Sequence, residues 1–330
     1  MKKWNFILGV DVSKLTLDVH CAELNEHIKI ANGKEGFKAL KKWVKEYKID
    51  LSKSIIVMEY TGGYEYKLLQ FCESLSIQYT RLPGLAIKHS LGISRGKNDK
   101  VDAKRIATYA DEKIKTISAD KPLNMRILRL KELLSFRKRL VRMNAGLKAS
   151  LQERISMYEV TEKDTIRKIT EENIERNKAD IEKLDLAMIE LIEADAGMLS
   201  NYNIITSIKG IGPINALMTI AYTENFTSFS NPRTYAVYVG VIPFDHSSGT
   251  SLKGRKRVSH IANKELKQEL NQAAKTAIIW DKELAAYAAR KLQSKPYPLV
   301  LNNVKFKLIL RMFSLVKRGE VFVENYKNVA

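Results

Sequence analysis

From Leu147 to Ala196 the chain contains neither Gly nor Pro and is dense in charged residues. With no helix breaker, this stretch reads as α-helix and divides the chain into three parts. In the helical region from about Arg126 to Leu199, Ile174, Asn177, Ile181, Leu184, Met188, Leu191, Asp195 and Met198 follow the 3-4 spacing of a coiled-coil seam. The repeat holds for only about three heptads, and two of its positions are polar, so an antiparallel helical hairpin is the competing reading. The expected organisation is residues 1–120, a helical arm over 121–203, and a mainly α-helical region over 204–330. The arm reads as a spacer or dimerisation element without chemistry of its own.

Residues 1–120 alternate between strand and helix patterns. Phe6–Val12 is a short apolar run. After the Ser13-Lys14 turn, Leu15–Ala22 alternates as a neighbouring strand, and Ile28–Ala31 suits a third. Phe37, Leu40, Trp43, Val44 and Tyr47 are spaced for an amphipathic helix. Ser54–Glu59 and Gln78–Leu82 read as further strands, with a helix from Tyr64 to Leu75 between them. A hairpin ribbon followed by strand–helix alternation matches an α/β ribonuclease-H-like core.

Four acids in this region bear on function. Asp11 sits inside the first apolar run and Glu59 closes the fourth strand. A carboxylate in a hydrophobic strand is costly unless its charge is compensated. Asp99 and Asp102 open a helical stretch three residues apart, so they share one helix face. Cleavage of a phosphodiester by two metals needs such oxygens around ions about 4 Å apart, and Mg²⁺ prefers oxygen ligands. The alternative is a set of ordinary acids at element ends, with Asp99 as a helix N-cap and Asp102 in a capping-box position. Lys97, Lys100, Lys104 and Arg105 flank the helical pair and are candidate phosphate contacts, or a solvated helix face.

The charge balance points to the same partner. Lys and Arg number 56 against 37 Asp and Glu, a formal charge of +19, which favours a polyanion. No apolar run approaches the roughly 20 residues needed to span a bilayer. Asp11 interrupts the one N-terminal segment that resembles a signal start. Cys21 and Cys72 have neither metal-type spacing nor a disulfide framework. A cytoplasmic, nucleic-acid-binding protein is expected, with an anionic membrane surface as the weaker alternative.

In the last region, Ile208-Lys209-Gly210-Ile211-Gly212-Pro213 separates two helical stretches. Gly210 and Gly212 suit either a helix-hairpin-helix turn that presents amides to a phosphate or a plain helix–helix turn. An irregular Gly- and Ser-rich stretch is expected from Val239 to Gly254, containing His246, Ser247, Ser248 and Gly249. The cations Lys253, Arg255, Lys256 and Arg257 follow. A serine beside Gly, near His246 and cations, suits a nucleophile in phosphoryl transfer, although most Ser-Ser-Gly loops are only turns.

Five segments in order resemble the DEDD-type insertion-sequence transposases, a family that includes pilin-gene invertases and bridge-RNA-guided recombinases. They are Gly9-Val10-Asp11-Val12-Ser13-Lys14, Met58-Glu59-Tyr60-Thr61-Gly62, Lys97-Asn98-Asp99-Lys100-Val101-Asp102-Ala103, Ile208–Pro213, and Tyr238–Pro243 leading into Ser247-Ser248-Gly249. The resemblance implies a RuvC-like domain, a helical arm and a transposase domain. It also implies Mg²⁺ on Asp11, Glu59, Asp99 and Asp102, and a covalent DNA link through Ser248, with Ser247 as the fallback. The implied partners are DNA, a structured non-coding guide RNA and further copies of the chain. The basic block departs from the family pattern at His260 and Ala262, while Arg257, Ser259 and Asn263 match. The competing functions are a junction nuclease that uses water and a non-enzymatic basic DNA-binding protein.

Overall fold

The computed structural model describes residues 3–90, 99–158, 160–229, 231–248 and 252–324, with backbone alone at 89–90, 245–248 and 252–257. The chain forms two compact units, residues 1–123 and 124–330.

The first unit is a mixed five-stranded sheet. β1 (Phe6–Val12), β2 (Thr16–Cys21) and β3 (Glu26–Ala31) form an antiparallel meander. β4 (Ser54–Glu59) and β5 (Gln78–Leu82) extend the sheet from the other side of β1, both parallel to their neighbours, giving the order β3-β2-β1-β4-β5. Strand alternation then sorts the residues between two faces. Leu8, Val10, Val12, Ile56 and Met58 pack with α1 (Lys34–Glu46) and α2 (Tyr66–Ser74) in one apolar cluster. Ile7, Ile55 and Val57 pack on the opposite face with Ile106 and Ala110 of α4 (Asp99–Glu112) and Ile87 of α3 (Gly84–Ser90). The helix expected at 37–47 therefore starts three residues earlier. Glu35 and Lys38, which carry no apolar signal, pair on its first turn.

The second unit is almost all helix. α5 (Met125–Met157) and α6 (Thr165–Glu193) form an antiparallel hairpin within the chain. Both carboxylate oxygens of Asp185 accept from Arg137, at 2.6 and 3.2 Å. Nearer the turn, Arg154 meets Asp164 at 3.2 Å. Of the two readings of this stretch, coiled-coil seam and antiparallel hairpin, these residues form the hairpin. The polar seam position Asn177 is matched by a polar partner: its amide donates to Asn144 Oδ1 at 2.8 Å, and buried Asn144 donates to Ile174 O at 3.2 Å. Such a pair fixes register more than it adds stability. The seam itself ends before Asp195, whose carboxylate instead caps α7 (Ala196–Thr206).

The base of this hairpin shares one apolar core with the helices that follow. These are α7, α8 (Pro213–Thr223), α9 (Pro232–Val239), α10 (Lys264–Trp280), α11 (Lys282–Leu292) and α12 (Tyr297–Arg318). One expectation is overturned here. Most of the stretch read as irregular, Val239–Gly254, is occupied by an antiparallel ribbon of β6 (Pro243–Ser248) and β7 (Leu252–Val258). β6 is mostly polar and β7 is basic, so neither carries the apolar alternation that marks a strand in sequence. Among the described residues no helix is long and apolar enough to cross a membrane.

Candidate active site

Asp11 lies on β1 two positions after Gly9, and Glu59 lies on β4 two positions after Val57. Parity therefore puts both acids on the face covered by α4. Gly9 sets how closely that helix approaches. A Cβ there would lie 2.4 Å from Ala107 N and 2.5 Å from Ala103 O, which no side chain tolerates without moving the helix. The first turn of α4, just before Ala103, thereby brings Asp102 and Asp99 toward the strand acids. Behind Glu59, Gly84 opens α3 with its Cα beside the carboxylate; a Cβ there would meet Glu59 Oε2 at 2.7 Å. Asn32 ties the surrounding loops together. Its amide donates to Ser13 O at 3.0 Å and to Tyr64 O at 2.9 Å.

The electrostatics reflect this crowding. Burial, and then the negative charges of Asp102, Asp99, Glu59 and Asp18, push the Asp11 carboxyl up to about 6. Glu59 is also raised, by burial first and then by Asp102. Asp18 and Gly9 are the residues that sequence reasoning missed. Asp18 faces Asp11 across the β1–β2 ladder. It is only 3% exposed, and it pairs with His27 at 2.9 Å and Lys29 at 3.2 Å. The available signal was Thr16, Asp18 and His20 alternating with Leu17, Val19 and Cys21. For Gly9 no sequence signal pointed to the approach of a helix some ninety residues later.

An all-oxygen donor set of four carboxylates fits a hard divalent cation. The acids do not form a closed cage as they stand. Among the described residues no three His, Cys, Asp or Glu side chains are grouped closely enough to hold an ion. Two of the four are engaged with cations instead: Asp99 lies 3.4 Å from Lys29 Nζ, and Asp102 accepts from Arg105 at 2.8 Å.

Of the candidate phosphate contacts nearby, Lys97 lies outside the described residues. Lys100 is exposed, Lys104 donates to Asn25 Oδ1 at 2.8 Å, and Arg105 is taken up by Asp102. In the second unit, Ser247 and Ser248 occupy the end of β6, opposite Lys253 and Leu252 of β7. Lys253, Arg255, Lys256 and Arg257 all fall on β7. Gly210 has a packing role in the turn between α7 and α8. Its φ is +95°, and a Cβ would collide with Ala273 O and Ala277 of α10. Gly212 is open and precedes Pro213, the first residue of α8.

Comparison with known proteins accounts for the co-occurrence of acids and serine. A DEDD transposase family model of the IS110 type matches residues 8–158, and the model described as the transposase IS116/IS110/IS902 family matches residues 202–289. The chain belongs to this transposase family. Curated relatives are the "Pilin gene-inverting protein" of Moraxella lacunata and that of Moraxella bovis. Each is 25% identical over 271 residues, covering 80% of both chains compared. The transposase is thus a DNA-binding enzyme of the transposition and recombination class, and its family implies dependence on a divalent metal. The first model contains all four acids and the second contains the serine doublet.

Proposed function

We propose that this transposase cuts and rejoins the DNA of a mobile element through a covalent phosphoserine intermediate at Ser248. In this reading Asp11, Glu59, Asp99 and Asp102, in a ribonuclease-H-like domain, hold Mg²⁺. The metal would polarise the phosphate and favour the ionised nucleophile. The observation that carries the reading is the convergence of the acids on one sheet face, favoured by strand parity and Gly9, with Asp11 pushed to about 6 by burial and the neighbouring carboxylates.

In the first step Ser248 Oγ forms a bond to phosphorus while the bond from phosphorus to the outgoing DNA oxygen breaks. The proton lost by the serine is balanced by the proton gained by that leaving oxygen. A DNA hydroxyl then reverses the exchange at a new junction. One phosphodiester is exchanged for another, so no nucleotide triphosphate is consumed. Cations of β7 suit the charge that develops on the transferring phosphoryl group. Lys100 and Lys104 suit backbone phosphates near the acids, and the turn around Gly210 and Gly212 suits another on the second unit. The surplus of positive charge supports a second polyanion, a structured non-coding RNA that pairs with donor and target and is held by shape and backbone. The enzyme is taken to work as a homo-oligomer.

The test combines purified protein, Mg²⁺, the element's flanking RNA and labelled DNA carrying an element end. A denaturation-resistant protein–DNA adduct is expected from the wild type and from neither Ser248→Ala nor Asp11→Ala. Because neighbouring strand positions take opposite faces, Ser247→Ala should retain the adduct. Cleavage that yields free ends and ignores Ser248→Ala would replace this reading with a hydrolytic nuclease.

A further inference from the structure

One charged side chain in the second unit is buried without an opposite charge among the described residues. Lys305, midway along α12, is 5% exposed. Its amine lies 3.3 Å from Asn271 Oδ1 of α10, a long contact for a charged donor. Burial, and then the nearby positive charge of Lys267, push the Lys305 pKa down to about 8. At neutral pH the protein therefore keeps two like charges close together. An uncompensated buried ammonium is expensive to retain, and an apolar residue of similar length would fit a helix core at lower cost.

The surroundings suggest what the charges are for. Lys267 is partly exposed, and its Nζ lies 3.8 Å from where a Cβ would stand on Gly240. Asn302, one turn before Lys305 on α12, donates to Val241 O at 2.6 Å. Gly240, Val241 and Ile242 lead directly into β6 at Pro243. Lys267, Asn302 and Lys305 thus flank the root of the strand that carries the serine doublet.

We infer that Lys267 and Lys305 form a phosphate subsite at the root of β6, occupied by a backbone phosphate of the DNA strand on which the serine acts. The identification of DNA as occupant rests on the serine reading above. Five residue steps of strand lead from Pro243 to Ser248, a span of about 16 Å. The subsite therefore holds a phosphate displaced along the strand from the scissile one, and it positions DNA without touching the reacting atoms.

Two measurements on the full-length chain test this. In thermal melts at matched ionic strength, inorganic phosphate should raise the wild-type Tm above its value in sodium chloride, and should lose that extra effect in Lys305→Met and Lys267→Met. Lys305→Met should itself melt no lower than wild type, because a buried charge is gone. In anisotropy titrations with a fluorescein-labelled duplex, each variant should bind about tenfold more weakly, with the slope of log affinity against log salt reduced by about one. A Lys305→Met protein that melts higher, with unchanged phosphate response, duplex affinity and salt slope, would make Lys305 a structural lysine and overturn the inference. Should Lys305→Met fail to fold, the partly exposed Lys267→Met decides the question by the same three readouts. The phosphate response needs no serine chemistry, so its loss is distinguishable from a failed adduct assay.

Discussion

Asp11 and Glu59 sit on adjacent parallel strands at the centre of a sheet covered on both faces, whereas Ser248 sits on one arm of a two-stranded ribbon. The acids are fixed many times over. Strand parity selects their face, Gly9 sets the approach of α4, and Gly84 leaves room for the Glu59 carboxylate. The ribbon is fixed by one ladder, with a register shift between Phe244 and His246, and two strands alone are marginally stable in water. The acids proposed to hold the metal are built into a core. The serine proposed to bond DNA is carried on a two-stranded ribbon.

The contrast can be broken most severely at Gly9. Gly9→Val would drive a side chain into the backbone of α4, with an overpacking cost of about 1–3 kcal/mol or more. Recombination should be lost, and the melt of the first unit should drop. A variant with wild-type stability and activity would remove Gly9 from the account. Hydrogen exchange sharpens the comparison at intermediate scale. Amides of β1 and β4 should exchange only near global unfolding, those of β6 and β7 by local opening, and duplex DNA should slow the second group selectively. Equal protection in both sheets without DNA would end the distinction.

The smallest expected effect concerns Asp11 and pH. Its folded pKa of about 6 lies above the ordinary value of 3.8, so the folded state binds a proton more readily than the unfolded one. Metal-free stability should therefore fall as pH rises from about 4 to about 6. The full shift corresponds to about 3 kcal/mol, which solvent screening at this partly open site reduces to about 1 kcal/mol. Asp11→Asn should melt higher than wild type at pH 7 without metal and show no advantage at pH 4. An advantage that persists at pH 4 would show that the gain has another origin.

Much of the first unit was legible because its strands obey simple rules. Five apolar or alternating runs mark five strands, and two acids placed inside such runs mark a face. Asp18 obeys the same alternation, but its polar neighbours Thr16 and His20 give it no apolar run to stand out from. The ribbon was not legible, since β6 is polar and β7 basic, and neither carries the apolar alternation that marks a strand. The arm is helix as its composition predicts, but the expected seam runs too far, through Asp195. That residue serves as a helix cap, a role local in sequence but indistinguishable from a polar seam position by spacing alone. Lys305 lay hidden in a helix rich in cations, where nothing in sequence separates a buried lysine from a solvated one.

If the sheet acids hold a metal without help from the serine ribbon, Mn²⁺ binding to the full-length chain, read by electron paramagnetic resonance, should depend on the acids alone. Wild type and Ser248→Ala should bind the ion alike, while Asp11→Asn and Glu59→Gln should lose binding. Undiminished Mn²⁺ binding in both acid variants would contradict the account.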